Sequence, residues 1–333
     1  MIFIQSAQND SSTNDILDWI LYLDIHEKIQ RQNDIASLEK VSIHINKDIH
    51  IKGSTINTIF DSDEISRRWY RRGTFSFNEI PLPKDYKASK ISYPTQNYLR
   101  KEMDYILKLI DKNIVQYKNS INTFSDNNTN KIDNLIVASQ TGLRIPETLI
   151  TNEAEELLLF TQKHTKIITK AISSSNYELS LDDYKVNMYC GTEMINIKHL
   201  NHKQNIKTLF PSFYQQYIEK KYELRIFYLK GKFYPMAIFS QANEKTKIDF
   251  RNYDTERPNR CAPYQLPKEI EEKLHRLMQS IDMNCGSIDM IYTPEREYVF
   301  LEVNPVGQFQ WLSRNCNYDI EREIALELLK EKT

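Results

Sequence analysis

Residues 287–313 read SIDMIYTPEREYVFLEVNPVGQFQWLS. Two apolar runs, Ser287 to Tyr292 and Tyr298 to Val303, flank a turn containing Pro294, and that pattern predicts an antiparallel hairpin. Glu302 interrupts the second run, Asn304 follows it, and Pro305 ends the strand. Side chains alternate faces along a strand, so Glu302 and Asn304 share one face while Leu301 and Val303 point into the opposite layer. A register that pairs Thr293 with Tyr298, leaving Pro294 to Glu297 as the loop, sets Asp289 beside Glu302. A buried carboxylate without a partner is strongly disfavoured, so a positive charge is expected there. Two carboxylates and an amide oxygen on one face form an all-oxygen cluster suited to Mg²⁺ held jointly with phosphate oxygens. The same pattern also fits a strand with one carboxylate facing water and Asn304 forming a turn before proline.

Composition narrows the setting. The 333 residues are 40% hydrophobic and 27% charged, which suits two or three subdomains around real cores. Forty-four basic against forty-five acidic residues leave a net charge of −1, so no global field favours nucleic acid or an anionic membrane. Any anion must be bound locally. Cys190, Cys261, Cys285 and Cys316 are widely separated, with no CxxC pair, which argues against a disulfide framework or a zinc site. The opening MIFIQSAQNDSSTNDILDWI reads as a strand, a polar turn and a helix rather than a secretory leader, and no apolar run reaches membrane-spanning length. The expectation is a cytoplasmic protein with no membrane and no nucleic-acid partner.

Seven glycines, at 53, 73, 142, 191, 231, 286 and 307, are never two residues apart. The dinucleotide fingerprint and the Walker-type phosphate loop, which need clustered glycines, are therefore absent. No GxSxG elbow or HExxH pair appears either. A nucleotide, if bound, must be held by side chains and metal.

The rest of the chain falls into three blocks. Strands at Met1 to Gln5 and Val41 to Ile45 and a helix around Ile16 to Leu23 form a small α/β lobe, which ends in a loop over residues 79–94. Leu99, Met103, Ile106, Leu107 and Ile110 recur at helical spacing. After a polar stretch, a helix at Lys131 to Gln140 leads to a strand pair near Glu147 to Ile150 and Thr165 to Ala171. YELRIFYLKGKFYPMAIF (222–239) alternates as a hairpin around KGK, and an amphipathic helix carries Ile270, Leu274, Leu277, Met278 and Ile281. Lys131 opens one helix and Lys170 ends an apolar strand, each either a surface amine or a phosphate ligand. Glu223 with Arg225, and Asp249 with Arg251, share faces by their two-residue spacing, as ion pairs or as site residues.

In that order, Lys, Lys, ELR, DFR, Asp, then ExN, the series resembles the ATP-grasp superfamily, and more closely its microviridin-type peptide maturases, the graspetide synthetases. ILDWI (16–20), SRRWYRRGTF (66–75), TGLRIPETLITN (141–152), ITKAISSS (168–175) and EVNPVGQFQW (302–311) carry the resemblance across nearly the whole chain. It implies an α/β ATP-grasp fold with an N-terminal α/β domain (1–115), a central domain (116–215) and a C-terminal ATP-grasp domain (216–333). It implies ATP and Mg²⁺ as cofactors. Lys131 and Lys170 then match phosphate ligands, Gln216, Tyr217 and Ile218 the adenine hinge, and Glu223 the ribose ligand. Arg225 and Arg251 match catalytic positions beside the transferring phosphate and the activated carboxylate, and Asp289, Glu302 and Asn304 match metal ligands. AISSSNYE (171–178) stands where many superfamily members have a glycine-rich flap.

The implied enzyme is an ADP- and phosphate-forming ligase. It activates Asp or Glu side chains of a ribosomally made precursor peptide and joins them to Ser or Thr as esters, or to Lys as amides, closing macrocycles. The segment SLDDYKVNMYCGTEMINIKHL (180–200) alternates around Cys190 and Gly191 as a projecting hairpin, and the resemblance assigns leader contacts to Val186 to Ile195. Trp69, Tyr70, Arg71 and Arg72 read either as a buried strand with snorkelling arginines or as a substrate or interface element. The oligomeric state stays open between monomer and homodimer. Two rivals remain: a ligase adding free amino acids to a peptide terminus, and a nucleotide-binding regulator without turnover.

Overall fold

A computed structural model describes residues 1–78, 92–115, 117–125, 129–173, 176–181, 184–195 and 208–330. Most of the expected 79–94 loop lies outside the described residues, and its last three residues open the helix Ser92–Asn113.

The fully buried first strand, Ile2–Ser6, lies between Ile29–Asn33 and Arg67–Tyr70 in a parallel sheet that Ser120–Ile121 completes. A run apolar on both faces is what such a central parallel strand requires. The helix Ser11–Leu23 starts where the Asp10 side chain accepts the Ser12 N–H at 3.1 Å. Its Ile16 and Ile20 pack against the final helix, Ile320–Leu329, in a core shared with the C-terminal sheet. That final helix and Gln310–Cys316 escaped the sequence reading, which placed no helix beyond the one carrying Ile270 to Ile281.

In the central region Thr148–Glu153 and Ile167–Thr169 do not pair with each other as expected. Thr208–Gln216 lies between them, and Glu193–Met194 closes the other edge of an antiparallel sheet. The intervening strand comes some forty residues later in the chain, so local spacing could not show it. The projecting hairpin is also displaced. Asn176–Ser180 pairs with Lys185–Tyr189, while Cys190 and Gly191 follow the hairpin as a link to the edge strand. The 196–200 end of the segment lies outside the described residues.

Five antiparallel strands form the C-terminal sheet, in the order Arg260–Pro263, Lys232–Phe239, Tyr222–Leu229, Cys285–Tyr292, Tyr298–Asn304. Lys230 and Gly231 make the two-residue turn, with φ of 43° and 94°, the left-handed conformation that short hairpin loops use. One face is closed by helices Lys131–Gln140 and Lys268–Ser280, which bury Leu135, Leu274 and Leu277 on Leu224, Ile226, Ile288 and Met290. On the other face Phe227 and Leu229 enter the core shared with the first lobe, whereas Glu223 lines a cleft and Arg225 reaches the cleft residue Asp289. A single strand thus serves both core and site.

The last hairpin corrects the predicted register at one end and keeps it at the other. Tyr292 pairs with Tyr298, one residue from the expected Thr293 partner, yet Asp289 pairs with Glu302 as expected, and Ser287 pairs with Asn304. A bulge between Asp289 and Met290 absorbs the difference. It also changes one facing: Leu301 packs with Ile218, Ile291 and Val299 on the cleft side, not in the opposite layer with Val303. Without the bulge, strict alternation from the turn would point Glu302 into the helices. Among the described residues no helix is long and apolar enough to cross a membrane.

Candidate active site

Asp289, Glu302 and Asn304 converge on the cleft floor. Their register neighbours bring the charges. Nη1 of Arg225, directly across from Asp289, lies 2.9 and 2.8 Å from its two carboxylate oxygens. Glu302 is ringed by Lys131 at 3.6 Å, Lys170 at 3.7 Å and Arg251 at 3.7 Å. Nδ2 of Asn304 lies 3.2 Å from Asp289 Oδ2 and 3.3 Å from Glu302 Oε1, donating between the two carboxylates. Four cations and three site carboxylates, counting Asp249, leave room for a polyanion.

The two carboxylates titrate apart. Burial pushes Glu302 up, but Lys170, Lys131 and Arg251 outweigh it and hold the acid well below the ordinary range. Burial raises Asp289, and the Glu302 charge adds to this against the pull of Arg225, so its net shift is upward. Burial depresses Lys170, which Glu302 only partly restores while Lys131 and Arg251 repel it. An incoming anion relieves that repulsion.

Lys131 occupies the first turn of its helix behind the cap Asn130, whose side chain accepts the Ile132 N–H at 2.9 Å. A cation there opposes the helix dipole, whereas an anion at that end is favoured. Arg251 is fixed by Asp249, which accepts its backbone N–H, Nε–H and Nη2–H. This pair sits on a turn, so its shared orientation comes from the turn and not from strand pleating, as the two-residue spacing had suggested.

Deeper in the cleft the lining becomes apolar: Ile168, Tyr217, Ile218, Ile248, Ile291 and Leu301. Gln216 and Tyr217 donate their backbone N–H groups to Glu147 and Lys166 at 2.9 and 3.1 Å, which fixes the linker between the central and C-terminal sheets. Glu223 pairs with Lys220 through one oxygen, and Lys220 also reaches the Ile248 carbonyl at 2.9 Å. The other oxygen, Oε2, is buried without a partner. Burial outweighs Lys220 and raises the Glu223 pKa to about 7.

An orphaned carboxylate oxygen beside an apolar slot fits a ribose hydroxyl below a purine ring. The all-oxygen Asp289, Glu302 and Asn304 set fits a hard divalent cation. Every residue the sequence singled out for nucleotide, metal or phosphate lies on this one cleft or its rim.

Three contributors were not anticipated. Lys220 neutralises Glu223. Ser287, two residues before Asp289 on the same face, has a buried hydroxyl without a partner. Gly307 rests on it: a Cβ there would lie 2.1 Å from Ser287 Oγ and 3.0 Å from Arg225 Nη2. The glycine in NPVGQF was the available signal. As for the 69–72 element, Trp69 and Arg71 are buried, and Arg71 donates to Asp10, to Ser12, to the Gly307 carbonyl at 3.2 Å and to Gln308 Oε1 at 3.3 Å. It does not snorkel; it ties the first lobe to the loop behind Asn304.

No family model and no curated relative matches the chain. Solved structures do. The macrocyclase MdnC bound with precursor peptide MdnA, from Microcystis aeruginosa, is 25% identical, with 99% of each chain covered and a TM-score of 0.73. A RiPP-associated ATP-grasp ligase of Chryseobacterium gregarium, in complex with ADP and a leader and core peptide, is 24% identical over 98% of this chain and 94% of that one, also at 0.73. The ATP-grasp ligase PsnB, complexed with minimal precursor, Mg and ADP, is 13% identical over 98% and 96%, at 0.66. The resemblance read from the sequence thus holds across the whole fold: the chain has the ATP-grasp fold of the peptide macrocyclases.

Proposed function

We propose that this chain, an ATP-grasp ligase of the macrocyclase type, activates Asp or Glu side chains of a ribosomally made precursor peptide as acyl phosphates and joins them to Ser or Thr hydroxyls or Lys amines. The observation that carries the proposal is the ring of Lys131, Lys170, Arg225 and Arg251 around Asp289, Glu302 and Asn304, at the mouth of an apolar slot holding the unpartnered Glu223 oxygen. Mg²⁺, held by Asp289, Glu302 and Asn304, would supply charge neutralisation of the phosphates.

The chain's own residues do the positioning. Ile218, Ile291 and Leu301 would pack against the base; Glu223 would accept from the ribose; Lys131 and Lys170 would hold the phosphates; Asp289, Glu302 and Asn304 would hold the cation. Arg225 and Arg251 flank the transferring phosphoryl group and orient the peptide carboxylate, so positioning and electrostatics provide the catalysis. No enzyme nucleophile is required. The acceptor hydroxyl then adds to the activated carbonyl, loses its proton and expels phosphate.

Because deprotonated Glu223 is the better hydroxyl acceptor and its pKa is raised to about 7, ADP affinity should rise from pH 6 to 8 and level off above. Binding favours the charged form, so the dependence has this sign. Titration calorimetry on the unsubstituted chain and on Glu223→Gln checks it: the variant should bind more weakly, with a flat profile over that range.

The precursor's leader is assigned to the hairpin of Asn176–Ser180 and Lys185–Tyr189 and the adjoining edge strand Glu193–Met194. Tyr177, Tyr184, Met188 and Tyr189 are exposed there. A leader held remotely keeps a variable core near the chemistry. Replacing residues 176–189 by a short turn should weaken precursor binding by about a hundredfold and spare ADP binding. Equal affinity of the intact chain for leader-bearing and leaderless peptide would contradict the assignment. ADP release that depends on the precursor tests the function as a whole.

A further inference from the structure

We propose that Lys220 is a positioning residue that joins the two ends of the cleft, its one ammonium holding both the Glu223 carboxylate and the turn that carries Arg251. The inference rests on the reading of Glu223 as ribose ligand and Arg251 as phosphoryl-side cation, and it deepens that reading by naming what fixes the two relative to each other.

Lys220 lies in the linker just before the strand Tyr222–Leu229, where it is buried and lines the cleft. A buried ammonium needs acceptors. It has two, the Glu223 carboxylate and the Ile248 carbonyl, the latter at 2.9 Å. Ile248 directly precedes Asp249, which accepts the backbone N–H, Nε–H and Nη2–H of Arg251. From Glu223 through Lys220 and the 248–249 backbone to Arg251, every step is thus a hydrogen bond or the chain itself.

The same ammonium governs the charge on Glu223. Asp249 and Tyr217 bring further titratable groups to that carboxylate, Ser240 contributes a hydroxyl, and the register partners Ile238 and Ile291 are apolar. Burial would raise Asp249, but Arg251 outweighs it and keeps Asp249 ionised, while burial keeps Tyr217 neutral. Neither offers Glu223 a positive charge. Burial and Asp249 push Glu223 up, and Lys220 is the cation that pulls it back.

Lys220→Met keeps the length of the side chain and removes the charge, and thermal melting checks its folding. Calorimetry with ADP over a pH series and single-turnover ring formation with ATP and precursor saturating are the two readouts. The ionised carboxylate is the better ribose acceptor and loses its cation in the variant. The midpoint of the rise in ADP affinity should therefore move from about 7 upward by about one pH unit or more. With ATP saturating, the rate of ring formation should fall about tenfold, because the Arg251 turn loses an anchor. A merely structural lysine would lower stability and leave the midpoint in place. In a Glu223→Gln background, adding Lys220→Met should leave the ADP profile flat and still slow ring formation. That double variant buries no charge, so compared with Glu223→Gln alone it carries the test if the single variant does not fold.

An unmoved midpoint in folded Lys220→Met, or ring formation undiminished in either variant, overturns the inference alone. ADP affinity independent of pH in the unsubstituted chain would overturn the reading of Glu223 as ribose ligand, and the inference with it.

Discussion

Glu302→Gln lowers ring formation by a factor on the order of 1,000 or more, and Asn304→Ala does the same, while the leader-bearing precursor still binds. The expectation follows from what Glu302 does. It is the common counter-charge of Lys131, Lys170 and Arg251, and in the proposed mechanism it also ligates the metal. The amide keeps the shape and loses the charge, so the cation is held poorly and three positive side chains face one another. Lys170, already depressed by burial and by its neighbours, then loses the carboxylate that restores it and yields its proton more readily. The hairpin assigned to the leader belongs to a separate two-stranded sheet, so leader affinity should change little. Single-turnover mass spectrometry and a fluorescence titration with labelled leader measure the two effects. Ring formation at the unsubstituted rate in Glu302→Gln would remove the metal-site argument.

The same residues show how far sequence carries. Asp289, Glu302 and Asn304 were legible because a strand has period two and a carboxylate inside an apolar run demands a partner. The helix Lys131–Gln140 was legible to the residue, since an amphipathic pattern and the cap Asn130 are local signals. What escaped depends on contacts distant in the chain. The bulge at Leu301 is a compromise between the turn at one end of the hairpin and the Asp289–Glu302 pairing at the other, and alternation alone cannot place it. The insertion of Thr208–Gln216 between two earlier strands is a sheet-order decision that no local window contains. Lys220 and Ser287 look like ordinary surface and strand residues until the fold buries them beside Glu223 and Asn304.

Turnover should release ADP and phosphate and never AMP and pyrophosphate. The lysines and the acidic cluster gather at the phosphate end of the cleft with Arg225 and Arg251 beside them, a placement that serves transfer of the terminal phosphoryl group. The carboxylate oxygen of the peptide bonds to that phosphorus as the bond to ADP breaks, and the acceptor then displaces phosphate from the carbonyl. Each ring lowers the peptide mass by one water, about 18 Da, for ester and amide alike. An acyl phosphate is open to capture by a small nucleophile, so hydroxylamine present during turnover should divert the product to a hydroxamate at an Asp or Glu, at the expense of the ring. Mild alkali then separates the two acceptor chemistries, since esters open far more readily than amides, and opening is the expected result. A peptide that gains the mass of a free amino acid would transfer the case to the terminus-adding ligase. ATP bound but not consumed, with precursor present, would transfer it to the regulator. Stoichiometric AMP would overturn the proposed mechanism, which brings the terminal phosphate to the cations gathered around Asp289 and Glu302.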